Sequence, residues 1–234
     1  MSPPADLDVV VDPAIHAEHP GYVALVLVAS GVGNGPTDAE SDARLAEAEA
    51  AVRAAGLERA ADHPHIASWR AAFSAFGSKP SKYPSSAEAL IGRVLKGGGL
   101  PRVNVLVDLY NSVSARRVVP LGGEDADLLE GALRLTVAEG GEPFDPRGDG
   151  SNVEAVPAGE VVWRDDRGVT CRRWNWRQGR RTQLTEATTR AFFVFDRLDG
   201  LAVEELHAAA DDLSHLLAQR WPDCHLHLVE RCAS

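Results

Sequence analysis

Two segments of the chain place polar groups among side chains that ought to be buried. Residues 99–111 read GLPRVNVLVDLYN, and residues 172–177 read RRWNWR. A polar group removed from water must find a partner inside the protein or bind a ligand. Two such segments in one chain therefore indicate a polar pocket inside a globular domain.

The first segment predicts a helix, because its apolar residues recur at helical spacing from residue 100 to residue 117. Asn104, Asp108 and Asn111 stand at i, i+4 and i+7, so they are expected to share one face of that helix. This face is neither purely apolar nor an ordinary charged surface. It is a candidate for the chemistry of the pocket.

Asp108 lies between Val107 and Leu109 and should be at least partly buried. A buried carboxylate needs a cation or several hydrogen-bond donors. One interpretation is an internal ion pair with an arginine: Arg172, Arg173 or Arg116. The other is a carboxylate that holds the ammonium or guanidinium group of a substrate, and the residues alone leave the two equally weighted.

The second segment is part of a basic strip. Residues 164–181 contain seven arginines and two aspartates, in a chain with a net charge of −10. On a predicted strand, Trp174 and Trp176 would share one face, and Arg173, Asn175 and Arg177 the other. The tryptophans suit a core, whereas the arginines either are solvated or bind phosphate or carboxylate groups.

Composition excludes several classes of protein. With 234 residues, 44% hydrophobic and 25% charged, the chain resembles an ordinary globular protein, and its acidity argues against general nucleic-acid binding. It has no apolar run of eighteen residues and no signal-peptide pattern, and its three cysteines suit a reducing cytosol, so we expect a cytoplasmic protein. The His-x-His pairs at 63/65 and 225/227 lack further ligands at metal-binding spacing, so neither a metal nor a cofactor is expected.

The remaining pattern predicts a single α+β domain spanning residues 1–234. Strands are expected at 22–29, 133–138, 160–164, 169–174, 191–196 and 225–229, and helices at 38–55, 66–75, 85–95, 100–117 and 204–220. Residues 145–159 read as a polar loop.

Five motifs occur in an order that resembles a known family. They are FGSKPSKYPSSAEAL (76–90), LPRVNVLVDLYN (100–111), PLGGED (120–125), GEVVW (159–163) and CRRWNWR (171–177), the last followed by Thr182, Thr185 and Thr188. Together they resemble the B3/B4 domain, the editing module of the phenylalanyl-tRNA synthetase β subunit, and more closely free-standing B3/4-domain proteins. The resemblance is strongest over residues 65–196. It implies mixed β-sheets flanked by helices, and hydrolysis in trans of the ester of a mischarged aminoacyl-tRNA.

The resemblance also implies a rebuilt pocket. The family's histidine falls on Gly122, its aspartate is kept as Asp125, and its glycine-rich turn is replaced by the arginine–tryptophan strip. An acidic lining from Asp108, Glu88 or Glu124 would favour a cationic, arginine-like amino acid.

We assign three sets of residues on this basis. The catalytic set, which would orient ester and water and bind the ammonium group or side chain of the substrate, is Asn104, Asp108 and Asn111. The substrate-binding set is Glu88, Tyr110, Glu124, Asp125, Asn175 and Thr182, and the tRNA-binding set is Lys79, Lys82, Arg172, Arg173 and Arg177. The expected partner is the aminoacylated 3′ end of tRNA, with no DNA or membrane partner. If Asp108 belongs to the catalytic set, Asp108→Asn should lose turnover and keep the fold.

Two other functions fit the same residues. One is a non-catalytic module that binds tRNA or aminoacyl-tRNA, and the other is an enzyme acting on a small amino-acid ester or amide. Aminoacyl esters are labile, so a site that positions water and stabilises the oxyanion needs no protein nucleophile.

Overall fold

The structure is a computed structural model, and it describes residues 7–233. Helices α1–α6 of this part span Pro13–Glu18, Ala39–Ala54, Pro64–Ala75, Ser86–Leu95, Val105–Arg117 and Val203–Arg220. Strands β1–β11 span Val9–Val11, Val23–Ser30, Leu121–Asp125, Leu133–Val137, Pro143–Phe144, Glu154–Ala155, Val161–Arg164, Val169–Arg172, Arg177–Gln178, Arg190–Arg197 and His225–Cys232. This arrangement confirms the predicted α+β class.

A four-stranded antiparallel sheet forms the centre, in the order β11-β2-β10-β3. Strand β2 is buried along its whole length and apolar from Val23 to Ala29, because both of its faces are covered. Leu25 and Leu27 pack in a cluster with α5 and α6, while Val26 and Val28 pack toward the second sheet. The sheet therefore divides two hydrophobic cores.

The second sheet has the order β1-β4-β7-β8-β9 and is mixed. Strand β1 pairs parallel with β4, whereas the other neighbours are antiparallel. Trp69 of α3 and Trp163 of β7 fill the core that this sheet shares with the first. Packed aromatic rings thus fix the two sheets relative to each other beside the candidate site described below.

Helices α2 and α4 begin where capping residues satisfy their first backbone N–H groups. Asp38 caps α2 by accepting from the N–H of Ser41, and Ser85 caps α4 by accepting from the N–H of Glu88. Gly56, with φ of +71°, follows the end of α2 in the left-handed conformation that glycine tolerates. These boundaries agree with those predicted from the sequence.

Helix α5 begins five residues later than predicted. Asn104 is its N-cap, with φ of −162°, and its side chain accepts a hydrogen bond from the N–H of Val107. Asn104 therefore does not lie on a helical face with Asp108 and Asn111, and that prediction was wrong. The apolar spacing continues through residues 100–104, which is why periodicity alone placed the start too early.

The strand predicted to reach Trp174 ends at Arg172, since the chain then turns. Arg173 and Trp174 have φ of 45° and 63°, in the left-handed region that non-glycine residues rarely adopt. Trp174 is buried and Trp176 only partly, so the two do not share a strand face. The alternation expected for residues 173–177 was therefore wrong. Strands β1, β3, β5, β6 and β9 and helix α1 were missed, and β6 lies within the segment predicted as a polar loop.

Candidate functional site

A cavity of about 380 Å³ lies between α4, α5, β3, β10 and the turn after β8. Its size suits an amino-acid-sized ligand. Tyr110 and the tryptophans Trp163, Trp174 and Trp176 form much of its apolar wall. Its polar groups come from Ser86, Asn111, Glu124, Asn175, Arg177, Gln178, Gln183 and Asp196.

Two buried carboxylates, Glu124 of β3 and Asp196 of β10, line this cavity. Glu124 pairs with Phe192 in the β3–β10 register, and residues 192 and 196 point to one side of their strand, so both carboxylates lie on the same face of the central sheet. Within residues 7–233, no Lys, Arg or His side chain forms a salt bridge with either of them. The cavity therefore contains two acidic groups that form no ion pair with a cation of the described residues, although Arg181 acts on Glu124 from a distance.

Neutral groups provide the hydrogen bonds to these acids. Thr182 Oγ1 donates to Glu124 Oε2, and Gln178 Nε2 lies 3.5 Å from Glu124 Oε1. Tyr22 donates to Asp196 Oδ1 at 2.6 Å, and Asn175 Nδ2 to Asp196 Oδ2 at 3.1 Å. Neutral donors offset only part of the cost of burying a charge.

Burial therefore raises the pKa of both acids. It raises the pKa of Glu124 to about 7, against the opposing effect of the hydrogen bonds from Thr182 and Gln178. It raises the pKa of Asp196 to about 6, against the hydrogen bonds from Tyr22 and Asn175. A bound cation would favour the ionised form of each acid.

Further polar atoms of the cavity have no partner among the described residues. Asn175 Oδ1 and Ser86 Oγ are buried and form no hydrogen bond, and the Asn175 side chain is only 8% exposed. The buried side chain of Asn111 also makes no hydrogen bond with residues 7–233. Because buried polar groups are nearly always paired, these atoms indicate donors or acceptors supplied by a ligand.

The strained turn after β8 positions Asn175. The N–H of Trp174 donates to the carbonyl of Val161 at 2.6 Å, and the Trp174 ring packs edge-on against Tyr22 and Trp69 at about 5 Å. This packing holds a tryptophan in left-handed backbone geometry, which is costly unless its surroundings enforce it. Asn175 is thereby directed toward Asp196 and the cavity.

Cations alternate with aromatic rings beside the cavity. The Arg173 guanidinium lies 3.8 Å from the centre of the Tyr83 ring and 4.6 Å from that of Trp176. The Lys82 Nζ also lies near Tyr83, 5.0 Å from the centre of its ring. Arg177, exposed and lining the cavity, lies 5.9 Å from the centre of Trp176. Such a surface can bind phosphates and stack on a nucleobase.

The structure brings five of the residues assigned from the sequence together at the cavity: Tyr110, Asn111, Glu124, Asn175 and Arg177. Thr182 supports this group through its hydrogen bond to Glu124. Tyr110 shares this environment: burial and the nearby Glu124 raise the pKa of its hydroxyl.

Other assigned residues lie outside the cavity lining. Asp108 is fully buried, where it accepts hydrogen bonds from Ser41 Oγ at 3.0 Å and from the N–H of Val103 at 2.9 Å. Of the two interpretations of Asp108, the internal ion pair does not form, since no arginine of the described residues pairs with it. Asp125 accepts from Thr188 Oγ1 and from the N–H of Asp127, as the N-cap of a short 3₁₀ turn.

Glu88 forms an ion pair with Arg70 and lines a neighbouring groove. Lys79 and Lys82 lie on the loop before α4 and are exposed.

Arg172 belongs to an internal ion pair. Its guanidinium makes two hydrogen bonds of 2.8 Å with Glu160 and one of 2.7 Å with Glu154, and its side chain is 6% exposed. The same Glu160 lies 3.5 Å from Arg173. Arg172 is thus already occupied, in contrast to Arg177, which has no carboxylate partner among the described residues.

Asp196 and Gln178 were not identified from the sequence. Asp196 ends the apolar run AFFVFD, so it shows the pattern of an isolated carboxylate among buried side chains that drew attention to Asp108. Gln178 carries no comparable signal. It reaches the site because Gly122 lacks a side chain: a Cβ there would stand 2.8 Å from Gln178 Nε2.

Residues 7–233 contain no group of three or more His, Cys, Asp or Glu side chains arranged to hold a metal ion. In the same part of the chain, no helix has both the length and the apolar character needed to cross a membrane.

Comparison with known proteins identifies the family. The family model of the B3/4 domain matches residues 68–219. Since the match covers more than half of the chain, the protein belongs to the B3/4 domain family, which confirms the resemblance seen in the motifs.

One solved structure that matches is an N-terminal fragment of the phenylalanyl-tRNA synthetase β subunit from Pyrococcus horikoshii, with 13% identity and a TM-score of 0.47. The match covers 98% of this chain and 55% of the fragment, so the chain spans about half of its length. No curated protein matches the chain.

Proposed function

We propose that this protein is a trans-editing deacylase, which hydrolyses the ester of a mischarged aminoacyl-tRNA whose amino acid carries a guanidinium group. The observation that carries the proposal is the pair of buried carboxylates, Glu124 and Asp196, that line one cavity and form no ion pair with any of residues 7–233. Such a pair is costly in the free protein and becomes favourable when a cation binds.

A guanidinium fits the other groups of the cavity. It is planar and presents five N–H donors, which match carboxylate oxygens and the unpaired Asn175 Oδ1 and Ser86 Oγ. Its flat faces can stack on the indole rings of Trp174 or Trp176 in the wall. An aromatic amino acid would offer only its α-ammonium group and would leave one of the two carboxylates without a cation.

The groups beside the cavity suit the nucleotide end of the substrate. Arg177 has no carboxylate partner among the described residues and lies beside the Trp176 ring, where it can meet a phosphate. Trp176 and Tyr83 offer surfaces on which the terminal base can stack. The amino acid would then lie inside and the ester near the opening, where water can reach it.

Asn111 is the candidate for orienting the ester or the attacking water, since its amide lines the cavity and has no partner among residues 7–233. Water adds to the ester carbonyl through an oxyanion that must be stabilised. The acyl–oxygen bond to the tRNA then breaks, and the leaving ribose oxygen takes up the proton that the water loses. The ester is labile enough for positioning and these hydrogen bonds to contribute most of the catalysis. Neither step uses a protein nucleophile.

The test is the release of amino acid from a panel of radiolabelled aminoacyl-tRNAs that carry cationic amino acids, aromatic amino acids and their analogues. The expected result is rapid release of a guanidinium-bearing amino acid and much slower release of aromatic ones. Release of aromatic amino acids alone would refute the substrate class. A protein that binds tRNA but releases nothing would be a binding module, and activity on free esters without tRNA binding would indicate a small-molecule enzyme.

A further inference from the structure

A second depression lies beside the cavity, and we call it the α4 groove. It measures about 950 Å³, and Ala89, Leu90 and Pro101 belong to its wall and to that of the cavity. Arg93 and Lys96 of the α4 end and Arg59 and Arg70 also line it. The two depressions are therefore adjacent, and the groove is larger than a single amino acid requires.

In or beside the groove lie four cations that have no carboxylate partner among residues 7–233 of this acidic chain. Its three lysines, Lys79, Lys82 and Lys96, all fall within eighteen consecutive residues. None of them forms a salt bridge with a carboxylate of residues 7–233, and neither does Arg93, whose Nε donates to the carbonyl of Gly99. Most other cations of the described chain, by contrast, are paired, as Arg172 is with Glu160.

The paired residues of the groove do not cancel this charge. Arg70 is neutralised by Glu88 and Arg59 by Asp62, which leaves Arg93 and Lys96 against the single unpaired acid Glu58. The loop that carries Lys79 and Lys82 borders the groove through Pro80, Ser81 and Pro84. The same loop contacts the cavity side, because the Tyr83 ring packs edge-on against the ring of Trp176, with the ring centres 4.8 Å apart.

We propose that the α4 groove binds the phosphodiester backbone of the single-stranded segment whose terminal ester enters the cavity. Unpaired cations along a groove attract successive phosphates without reading the sequence of bases. The inference rests on the proposed function and adds Arg93 and Lys96 to the binding surface. The strand would pass from the groove, over the loop of Lys79 and Lys82, to Trp176 and the cavity.

The experiment measures binding of deacylated tRNA by fluorescence anisotropy at 50 and 200 mM salt. Each phosphate contact on a single strand contributes about 0.7 to the salt slope, so Arg93→Gln/Lys96→Gln should lose about sevenfold less affinity across this range than the wild type. Lys96→Gln alone, which breaks no hydrogen bond or ion pair of the described structure, should lose about 2.6-fold less. The matched control Arg147→Gln/Arg180→Gln removes two exposed, unpaired cations that line neither depression, and it should keep the wild-type slope.

Unchanged salt dependence in both groove variants would overturn the proposal. Arginine methyl ester separates this proposal from the proposed function. Groove variants should hydrolyse it like the wild type while their KM for aminoacyl-tRNA rises. If the wild type hydrolyses neither substrate, the proposed function is refuted. The binding measurement would still show whether the α4 groove binds the phosphodiester backbone.

Discussion

Replacing Glu124 by glutamine should make the protein more stable and less active. The pKa of Glu124 is raised by burial to about 7 from an ordinary value of 4.5. Each pKa unit corresponds to about 1.4 kcal/mol, so keeping this carboxylate ionised in the folded protein costs about 3 kcal/mol. Glutamine has nearly the same shape, carries no charge and can still accept from Thr182.

The pH dependence gives the sign of this effect. Below about pH 4, the carboxyl is protonated in both folded and unfolded protein, and the cost is absent. Between about pH 4 and pH 7 the unfolded chain gives up the proton first, so the wild type loses stability as the pH rises, and above about pH 7 the cost is constant. Glu124→Gln should therefore match the wild type near pH 4 and exceed its free energy of unfolding by up to about 3 kcal/mol at pH 8.

Function should change in the opposite direction. Removing one partner of a desolvated, hydrogen-bonded charge pair costs about 2–5 kcal/mol, so affinity for a guanidinium ligand should fall by about 30-fold or more. In the wild type, arginine affinity should rise with pH through 6 and 7, since the carboxyls of Asp196 and Glu124 must release their protons. Urea unfolding at pH 4.5 and 8, with arginine titration calorimetry, measures both effects.

Asp165→Asn is the matched control. Asp165 is fully buried, as Glu124 nearly is, but it pairs with Arg181 at 2.7 Å and accepts from the backbone N–H groups of Glu130 and Gly168. Its replacement should cost about 3–5 kcal/mol of stability and leave arginine affinity unchanged. A Glu124→Gln protein that is less stable than the wild type at pH 8, or that binds arginine equally well, would refute the reasoning.

Two further substitutions separate structural from functional polar residues. Asp108→Asn should cost about 1–3 kcal/mol of stability, because it weakens the hydrogen bonds to Ser41 and Val103. The rate of amino-acid release in the panel assay should stay at the wild-type value. Lost turnover in a folded variant would show that Asp108 belongs to the site. Arg172→Gln leaves Glu160 buried and partly unpaired, so urea unfolding should show a loss of stability of about 3–5 kcal/mol. The affinity for tRNA, measured by anisotropy, should change little. Weak tRNA binding by a stable variant would contradict the internal role of Arg172.

Much of the fold followed from periodicity and capping. The apolar run of β2 and the Ser85 cap of α4 could be predicted because each depends only on residues that are close in the chain. The start of α5 was misplaced because Val103 continues the helical spacing, although Asn104 accepts from the Val107 N–H as a capping residue does. Strand β3 was missed because Gly122 and Gly123 have no apolar side chains to show alternation.

The pairing of charges could not be predicted in the same way. Arg172, Arg173 and Arg177 look alike in sequence, yet Glu160 binds the first two and leaves the third free. Glu160 lies twelve residues before Arg172 and reaches it only because β7 and β8 pair. Which arginine is available to a phosphate is therefore a property of the tertiary structure.

The two isolated aspartates show what separates a structural acid from a binding one. Asp108 and Asp196 are both buried, and neutral groups donate hydrogen bonds to both. Asp108 closes a local turn by accepting from the N–H five residues before it, outside the lining of the cavity. Asp196 lines the open space of the cavity together with Glu124, so a ligand can supply there the cation that the described chain does not. Burial alone does not distinguish a structural carboxylate from a ligand-binding one. A buried carboxylate becomes a candidate for ligand binding when it also lines a free volume.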